Sequence, residues 1–315
     1  MFDRYYPRDD VRDDDRGRDR GLDRGGRGGS SAPDHRDRST RDPFTRDLDL
    51  PDGRERERAM DRDRVYDIDG SEARMLATVG SFRVVAEHDL SALRDDARAP
   101  HQSMRHLEDS GLIERPPLDV NDRAVVLTVR GRDLLEANRS VPRDERTRDR
   151  QEFYAGLRKP RELTHDVKVY RAYERAEERI RDQGGRVRRV VLDYEMKRDY
   201  QRFLHERNRG KKDCDGRPDR DADEIVHWAQ EHNLPYEQDG HVHFPDARVE
   251  YEDRDGLDRF EDLEIVTPHY RGAHAAGAAT SGFSCHMSLG CSVGGRGGGR
   301  GGRGGRGGGF AEEFV

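Results

Sequence analysis

The stretch 101–139, HQSMRHLEDSGLIERPPLDVNDRAVVLTVRGRDLLEANR, decides how this chain is read. Met104 and Leu107 stand three apart, so 101–110 reads as a helix with those two side chains inward. Gly111 follows Ser110 as a natural C-cap, because glycine accepts the left-handed conformation that ends helices. Leu112 and Ile113 begin a strand, Pro116 and Pro117 with the DVND run make a turn, and AVVLTV is a second strand, so the pair forms a hairpin. RGRDLLEANR closes the segment as a helix.

Working upstream, SEARMLATVGSF places Met75, Leu76 and Val79 at helical spacing, with Ser71 as N-cap and Gly80 as breaker. FRVVAEHDL reads as a second short helix with Val84 and Val85 inward, and LSALRDDARAP as a third short element. Pro100 restarts the chain, since proline suits the first turn of a helix.

The order helix, helix, helix, hairpin, helix resembles a winged helix-turn-helix, MarR-like ones especially. RHLEDSGLIER and VVLTVRGRDLLE carry the resemblance, through the pattern L-x-x-x-G-L-I-x-R … L-T-x-x-G. The resemblance implies that helix 101–110 enters the major groove, presenting His101, Gln102, Ser103, Arg105 and His106 to phosphates and base edges. Asn121, Asp122 and Arg123 would sit on the wing near the backbone. Asp119 and Asp122 count against a tight wing contact because carboxylates repel phosphate, and Glu108, Asp109 and Glu114 flank the reading helix with the same sign.

Downstream, 140–160 is polar and reads as a linker. LTHDVKVYRAYERAEERIRDQGG is a long helix stopped by Gly184-Gly185, with Val167, Tyr170, Tyr173 and Ile180 on its apolar face. RVRRVVLDYEM is a strand, KRDYQRFLHERN and ADEIVHWAQEHN are helices, and HVHFPDARVEYED and RFEDLEIVTPHY are strand-like. RGAHAAGAATSG reads as a helix of small residues and FSCHMSL as a last strand.

This order resembles the PD-(D/E)XK nuclease core, on Pro245-Asp246 and Glu261-Asp262-Leu263-Glu264. Asp262 and Glu264 are two apart and share one face of a strand. The resemblance implies Asp246, Asp262 and Glu264 as catalytic carboxylates, and Asp246 with Glu264 as ligands for Mg2+, a hard cation that takes oxygen donors, polarises phosphate and activates water. The lysine expected two residues after the second carboxylate is missing: Val266 stands there if Glu264 is the ligand, Glu264 itself if Asp262 is. Taken together, 70–290 resembles the plasmid replication-relaxation family, on His165-Asp166-Val167, Pro245-Asp246-Ala247 and Leu263-Glu264-Ile265. That implies a mobile-element protein acting on DNA in replication or mobilisation, with cleavage left open by the absent lysine. His241 and His243 have a zinc-compatible H-x-H spacing, whereas Cys214, Cys285 and Cys291 show neither paired metal spacing nor a disulfide framework.

Composition sets the frame for these segments. At 40% charged and 31% hydrophobic, the 315 residues are too polar for one globular body, so disordered ends are expected. Residues 1–64 alternate Arg and Asp and have too little apolar surface to offset chain entropy. The end, 293–315, is Gly and Arg, with Arg296, Arg300, Arg303 and Arg306 each followed by two glycines. Such RGG segments bind single-stranded DNA or RNA without sequence preference. The expected organisation is α/β: disordered 1–64, a winged helix-turn-helix at 65–139, a linker at 140–160, a nuclease-like α/β domain at 161–292 and the RGG tail at 293–315.

A net charge of −7 supplies no global attraction to nucleic acid, so binding must use a local patch. No apolar run approaches a membrane span and the start has no signal-peptide core, which together with unpaired cysteines points to a cytoplasmic location. The expected partner is duplex DNA, with RNA or single-stranded DNA on the tail. The competing readings are a winged-helix transcription regulator without enzymatic activity, its second domain serving as homodimer or partner interface, and an RNA-binding protein acting through the RGG tail.

Overall fold

Asp69 and Glu72 fix where the first helix starts. The Glu72 N–H donates to Asp69 Oδ1 at 2.9 Å and the Asp69 N–H donates to Glu72 Oε2 at 3.2 Å, a reciprocal capping box. The cap is therefore Asp69, two residues before the expected Ser71. In this computed structural model, residues 42–62, 64–91, 100–140, 150–156, 163–208, 218–236, 241–266 and 284–287 are described. Among them are seven α-helices and three small sheets, a mixed α/β architecture.

Helix α1 (Gly70–Phe82) runs through Gly80 instead of breaking there. A Cβ on Gly80 would meet Leu127, Phe153 and Leu135 at 3.1–3.2 Å, so this glycine permits close packing. Phe82-Arg83-Val84 was expected to continue into a second helix. Arg83 instead turns the chain at φ 66°, and β3 (Val84–Ala86) follows, before the short α2 (Glu87–Ser91). The adjacent β-branched valines suit a strand, and both are buried against β5 (Ala124–Leu127), pairing Val84 with Val126 and Val85 with Val125.

Helix α3 (Pro100–Asp109) leads through Gly111, at φ 70°, into β4 (Ile113–Glu114). The small antiparallel sheet has the order β3-β5-β4. Helix α4 (Val129–Ala137) then starts earlier than expected, because Thr128 caps it: the Gly131 N–H donates to Thr128 Oγ1 at 3.1 Å, while the Thr128 hydroxyl donates to the Gly111 carbonyl at 2.7 Å. A Cβ on Gly131 would lie 2.2 Å from the Leu112 carbonyl oxygen, so only glycine fits. The L-T-x-x-G pattern is thus a device that clamps α4 onto the α3–β4 turn.

The second part has three layers. A four-stranded sheet in the order β6-β7-β8-β9 comprises β6 (Arg186–Leu192), β7 (Ala247–Glu252), β8 (Asp258–Val266) and β9 (Ser284–Met287), with β8 and β9 parallel and the other pairs antiparallel. Helix α5 (Leu163–Asp182) covers one face, packing Tyr170, Tyr173, Ala176 and Ile180 into the same core as Val190, Val249, Leu263 and Ile265. Helices α6 (Asp193–His205) and α7 (Ala222–Glu231) cover the other around Val191, Met196 and Trp228. Expected elements at 92–99 and 271–282 lie outside the described residues.

Two expectations about order are corrected. Residues 42–62, assigned to a disordered end, are folded on the body: Phe44 and Leu48 are buried, and β1 (Glu57–Asp61) pairs with β2 (Arg64–Ile68) with Ala59 and Ile68 inward. A few well-placed apolar side chains outweigh the Arg/Asp background. Within the expected linker, 150–156 is docked, with Phe153 buried. The core is continuous from Phe44 through α1 and α5 to Ile265, and all described residues fall in one compact unit. Phe82 contacts Phe44, Tyr170 and Tyr173, with ring centroids 4.8–5.4 Å apart, and so joins the two parts.

Candidate functional site

Helix α3 is anchored by Met104 and Leu107, which are fully buried. One helical turn apart on its outer side, Gln102 and Arg105 are exposed. Two other residues expected on that surface are not on it. Ser103 is buried, because it shares the inner face with Met104. His106 turns back toward α1, its Nδ1 3.0 Å from Glu72 Oε1, where the buried Glu72 carboxylate also takes Arg56 at 2.9 Å. The side chain of His101 lies outside the description.

The β4–β5 hairpin is braced on both sides. Arg115 donates to Glu108 at 2.9 Å and to Glu87 at 3.2 Å, tying the hairpin to α3 and α2. Asp119 folds into its own turn, accepting from the N–H groups of Asn121 at 2.8 Å and Asp122 at 2.9 Å. Asp122 reaches His88 Nδ1 on α2. Next to it, Asp89 takes Arg171 of α5 at 2.8 Å. Both hairpin carboxylates thus accept hydrogen bonds within the protein, and Asp119, Val120 (98% exposed), Asn121 and Arg123 are exposed at the turn. The Arg123 guanidinium donates to the Arg115 carbonyl at 3.0 Å.

On the sheet, Asp262 and Asp246 have separate surroundings. Asp262 is buried and clasped by Arg248, which donates from Nε at 2.6 Å and Nη2 at 2.8 Å. That guanidinium also donates to the carbonyls of His232 and Asn233 and stacks over Phe260. Arg248 follows Asp246 by two residues and pairs directly opposite Asp262, a cross-strand match that strand alternation could have revealed. Glu264 is also buried. Asp246 goes elsewhere: its Oδ1 meets His165 Nε2 at 3.1 Å and its Oδ2 accepts the Ile265 N–H at 2.8 Å.

Asp262 neutralises a guanidinium, Asp246 is satisfied by an imidazole and an amide, and among the described residues no three His, Cys, Asp or Glu side chains are grouped as a metal ion requires. His241 and His243 approach each other with ring centroids 5.1 Å apart but belong to no such group.

What does gather is a cavity of about 310 Å3 where α1, α5, β6, the start of α6 and the turn into β7 meet, lined by Phe82, Arg83, His165, Asp166, Val169, Leu192, Asp193 and Asp246. Each of its carboxylates has a basic partner: Asp246 has His165, Asp166 has Arg83 at 3.8 Å, and Asp193 has Lys197 at 2.6 Å. The hydrogen bond to Asp246 holds His165 above its ordinary pKa; burial opposes this, and the charges of Asp246, Asp166 and Asp193 reinforce it. Arg83 carried no sequence signal, since its place depends on a positive φ at the end of α1. Arg296, Arg300, Arg303 and Arg306 lie outside the described residues.

Among the described residues no helix is long and apolar enough to cross a membrane. No protein-family model matches the chain, and neither a curated protein nor a solved structure matches it.

Proposed function

We propose that this chain is a duplex-DNA-binding protein in which α3 and the β4–β5 hairpin act as the recognition helix and wing of a winged helix-turn-helix. The observation that carries the reading is the outer surface of α3: Gln102 and Arg105 stand exposed one turn apart on a helix pinned by Met104 and Leu107, beside a braced hairpin with a free tip. Arginine and glutamine are base-edge and phosphate donors suited to a groove. Asp122 is drawn toward His88, which weakens the electrostatic objection to wing contact, while Asp119 keeps its carboxylate at the exposed turn.

The replication-relaxation reading is a second layer of the proposal. It draws support from the meeting of His165-Asp166-Val167 with Pro245-Asp246-Ala247 through the His165–Asp246 hydrogen bond, across 81 residues of sequence. In this reading the nuclease-like part is a scaffold that does not cleave, because Asp262 is committed to Arg248. The RGG tail adds non-specific affinity for single-stranded DNA or RNA.

Anisotropy with labelled duplex DNA, beside a plasmid-nicking assay with Mg2+ and Mn2+, tests both layers. Arg105→Ala is expected to weaken duplex binding about tenfold, in line with the loss of ~1–3 kcal/mol for a base-contacting side chain, and to leave no nicking to lose. Unchanged affinity removes α3 from the interface. Metal-dependent nicking that disappears in Asp246→Ala overturns the scaffold role.

A further inference from the structure

The segment 150–156 is short, yet it touches nearly every element around it. The Tyr154 N–H donates to the Gly80 carbonyl at 2.7 Å and the Gly156 N–H to the Leu127 carbonyl at 2.8 Å, which fixes it to α1 and β5. Phe153 is buried beneath the Arg139 guanidinium, 4.3 Å from its ring centroid. On the other side, Gln151 acts as a substitute strand: its side-chain carbonyl accepts the Val190 N–H at 2.9 Å and its amide donates to the Val190 carbonyl at 3.0 Å, closing the outer edge of β6. Glu152 receives two hydrogen bonds from Arg198 of α6, at 2.6 and 2.7 Å. The Tyr154 hydroxyl donates to Glu195 Oε2 at 3.2 Å.

The last of these ties ends on Glu195, a carboxyl only 5% exposed, enclosed between the segment and the sheet. Arg189 of β6 donates to its Oε1 at 2.8 Å. The other charged or titratable groups around it are Glu152 and Tyr154 of the segment, Arg198, Asp199 and Tyr194 of α6, and Glu250 of β7, which pairs with Arg189 at 3.3 Å.

We propose that 150–156 is a strap bridging the first part of the molecule to the sheet, and that ionisation of Glu195 beneath Tyr154 loosens it. Burial pushes Glu195 up to about 7; Arg189 opposes this, Glu152 adds to it, Arg198 opposes and Asp199 adds. Opening the strap admits water to Glu195 and returns it toward its ordinary value of 4.5, so the closed state favours the protonated carboxyl. The closed strap is therefore firmest at low pH and yields as pH rises through about 7.

Hydrogen exchange of the full chain at pH 6 and pH 8 tests this, with rates corrected for the intrinsic pH dependence. The protection factors of the Tyr154 and Gly156 amides are expected to fall roughly tenfold between the two. Glu195→Gln is expected to hold both amides at constant protection. A wild type without the fall, or a Glu195→Gln protein that retains it, overturns the proposal. The carboxyl carbon shift of Glu195 in the unmodified chain is a check independent of any variant: a midpoint near 7 is expected, and one close to 4.5 overturns the proposal as well.

Discussion

The α3 surface and the β7–β8 carboxylates were both expected to act on DNA, and the structure treats them in opposite ways. On α3, the inner positions hold the helix and the outer ones, Gln102 and Arg105, reach solvent. On the strands, Asp262 and Glu264 are buried and Asp246 is satisfied within the protein. A residue type that suits a chemistry is only a candidate; what decides is whether its hydrogen-bonding capacity faces outward after folding. Arg248 alone absorbs Asp262, although it sits only two residues from the motif that suggested a metal site.

The largest expected effect probes that difference directly. Asp262→Ala leaves the Arg248 guanidinium without its partner at a site where both side chains are about nine-tenths buried. Breaking such a pair is expected to cost about 3 kcal/mol in denaturant unfolding. The double change Arg248→Met with Asp262→Leu should recover most of the loss, because it removes both charges together. If Asp262→Ala instead stabilises the protein, relieving repulsion with Glu264, the carboxylates form a functional cluster and the contrast with α3 fails.

A smaller effect concerns the cavity. His165 has a folded pKa raised above its ordinary 6.5, so its pairing with Asp246 contributes stability that is complete below about 6.5 and is lost as pH rises through the folded value. The difference in unfolding free energy between the wild type and His165→Gln should therefore shrink from pH 5.5 to pH 8.5. Subtracting the variant also cancels the change of Glu195, which runs in the same direction. A difference that is flat with pH would show that the imidazole is not the titrating partner of Asp246.

Much of the framework was legible. Periodicity placed α5, α7 and the β7–β8 pair, and the L-T-x-x-G pattern marked a turn whose glycine has no steric alternative. What escaped depended on distant partners. The valines of β3 read as helical until β5 is there to pair with them. Phe44 and Leu48 look isolated among Arg and Asp until Phe82, Tyr173 and Arg139 are brought to them. The strap reads as a linker because its apolar content is slight, and Gln151 works through an amide no hydropathy pattern detects. The cavity unites residues from α1, α5, β6, α6 and the turn into β7, and Arg83 enters it only through a left-handed backbone.

The smallest expected effect on stability is on α3 itself, and it separates surface from core within one helix. Gln102 is exposed and lies beside the buried Ser103 and Met104. Gln102→Ala should change the unfolding free energy by less than about 0.5 kcal/mol, because alanine is a better helix former and no buried contact is lost. Duplex affinity should nevertheless fall several-fold, with little change in its salt slope, since glutamine reads base edges and neutralises no phosphate. Arg105→Ala should lower affinity and flatten the salt slope together. Equal behaviour of the two variants would mean that α3 meets DNA only through charge. No response from either would place the binding surface off this helix, and the outward-facing side of the comparison would then lose its function as well.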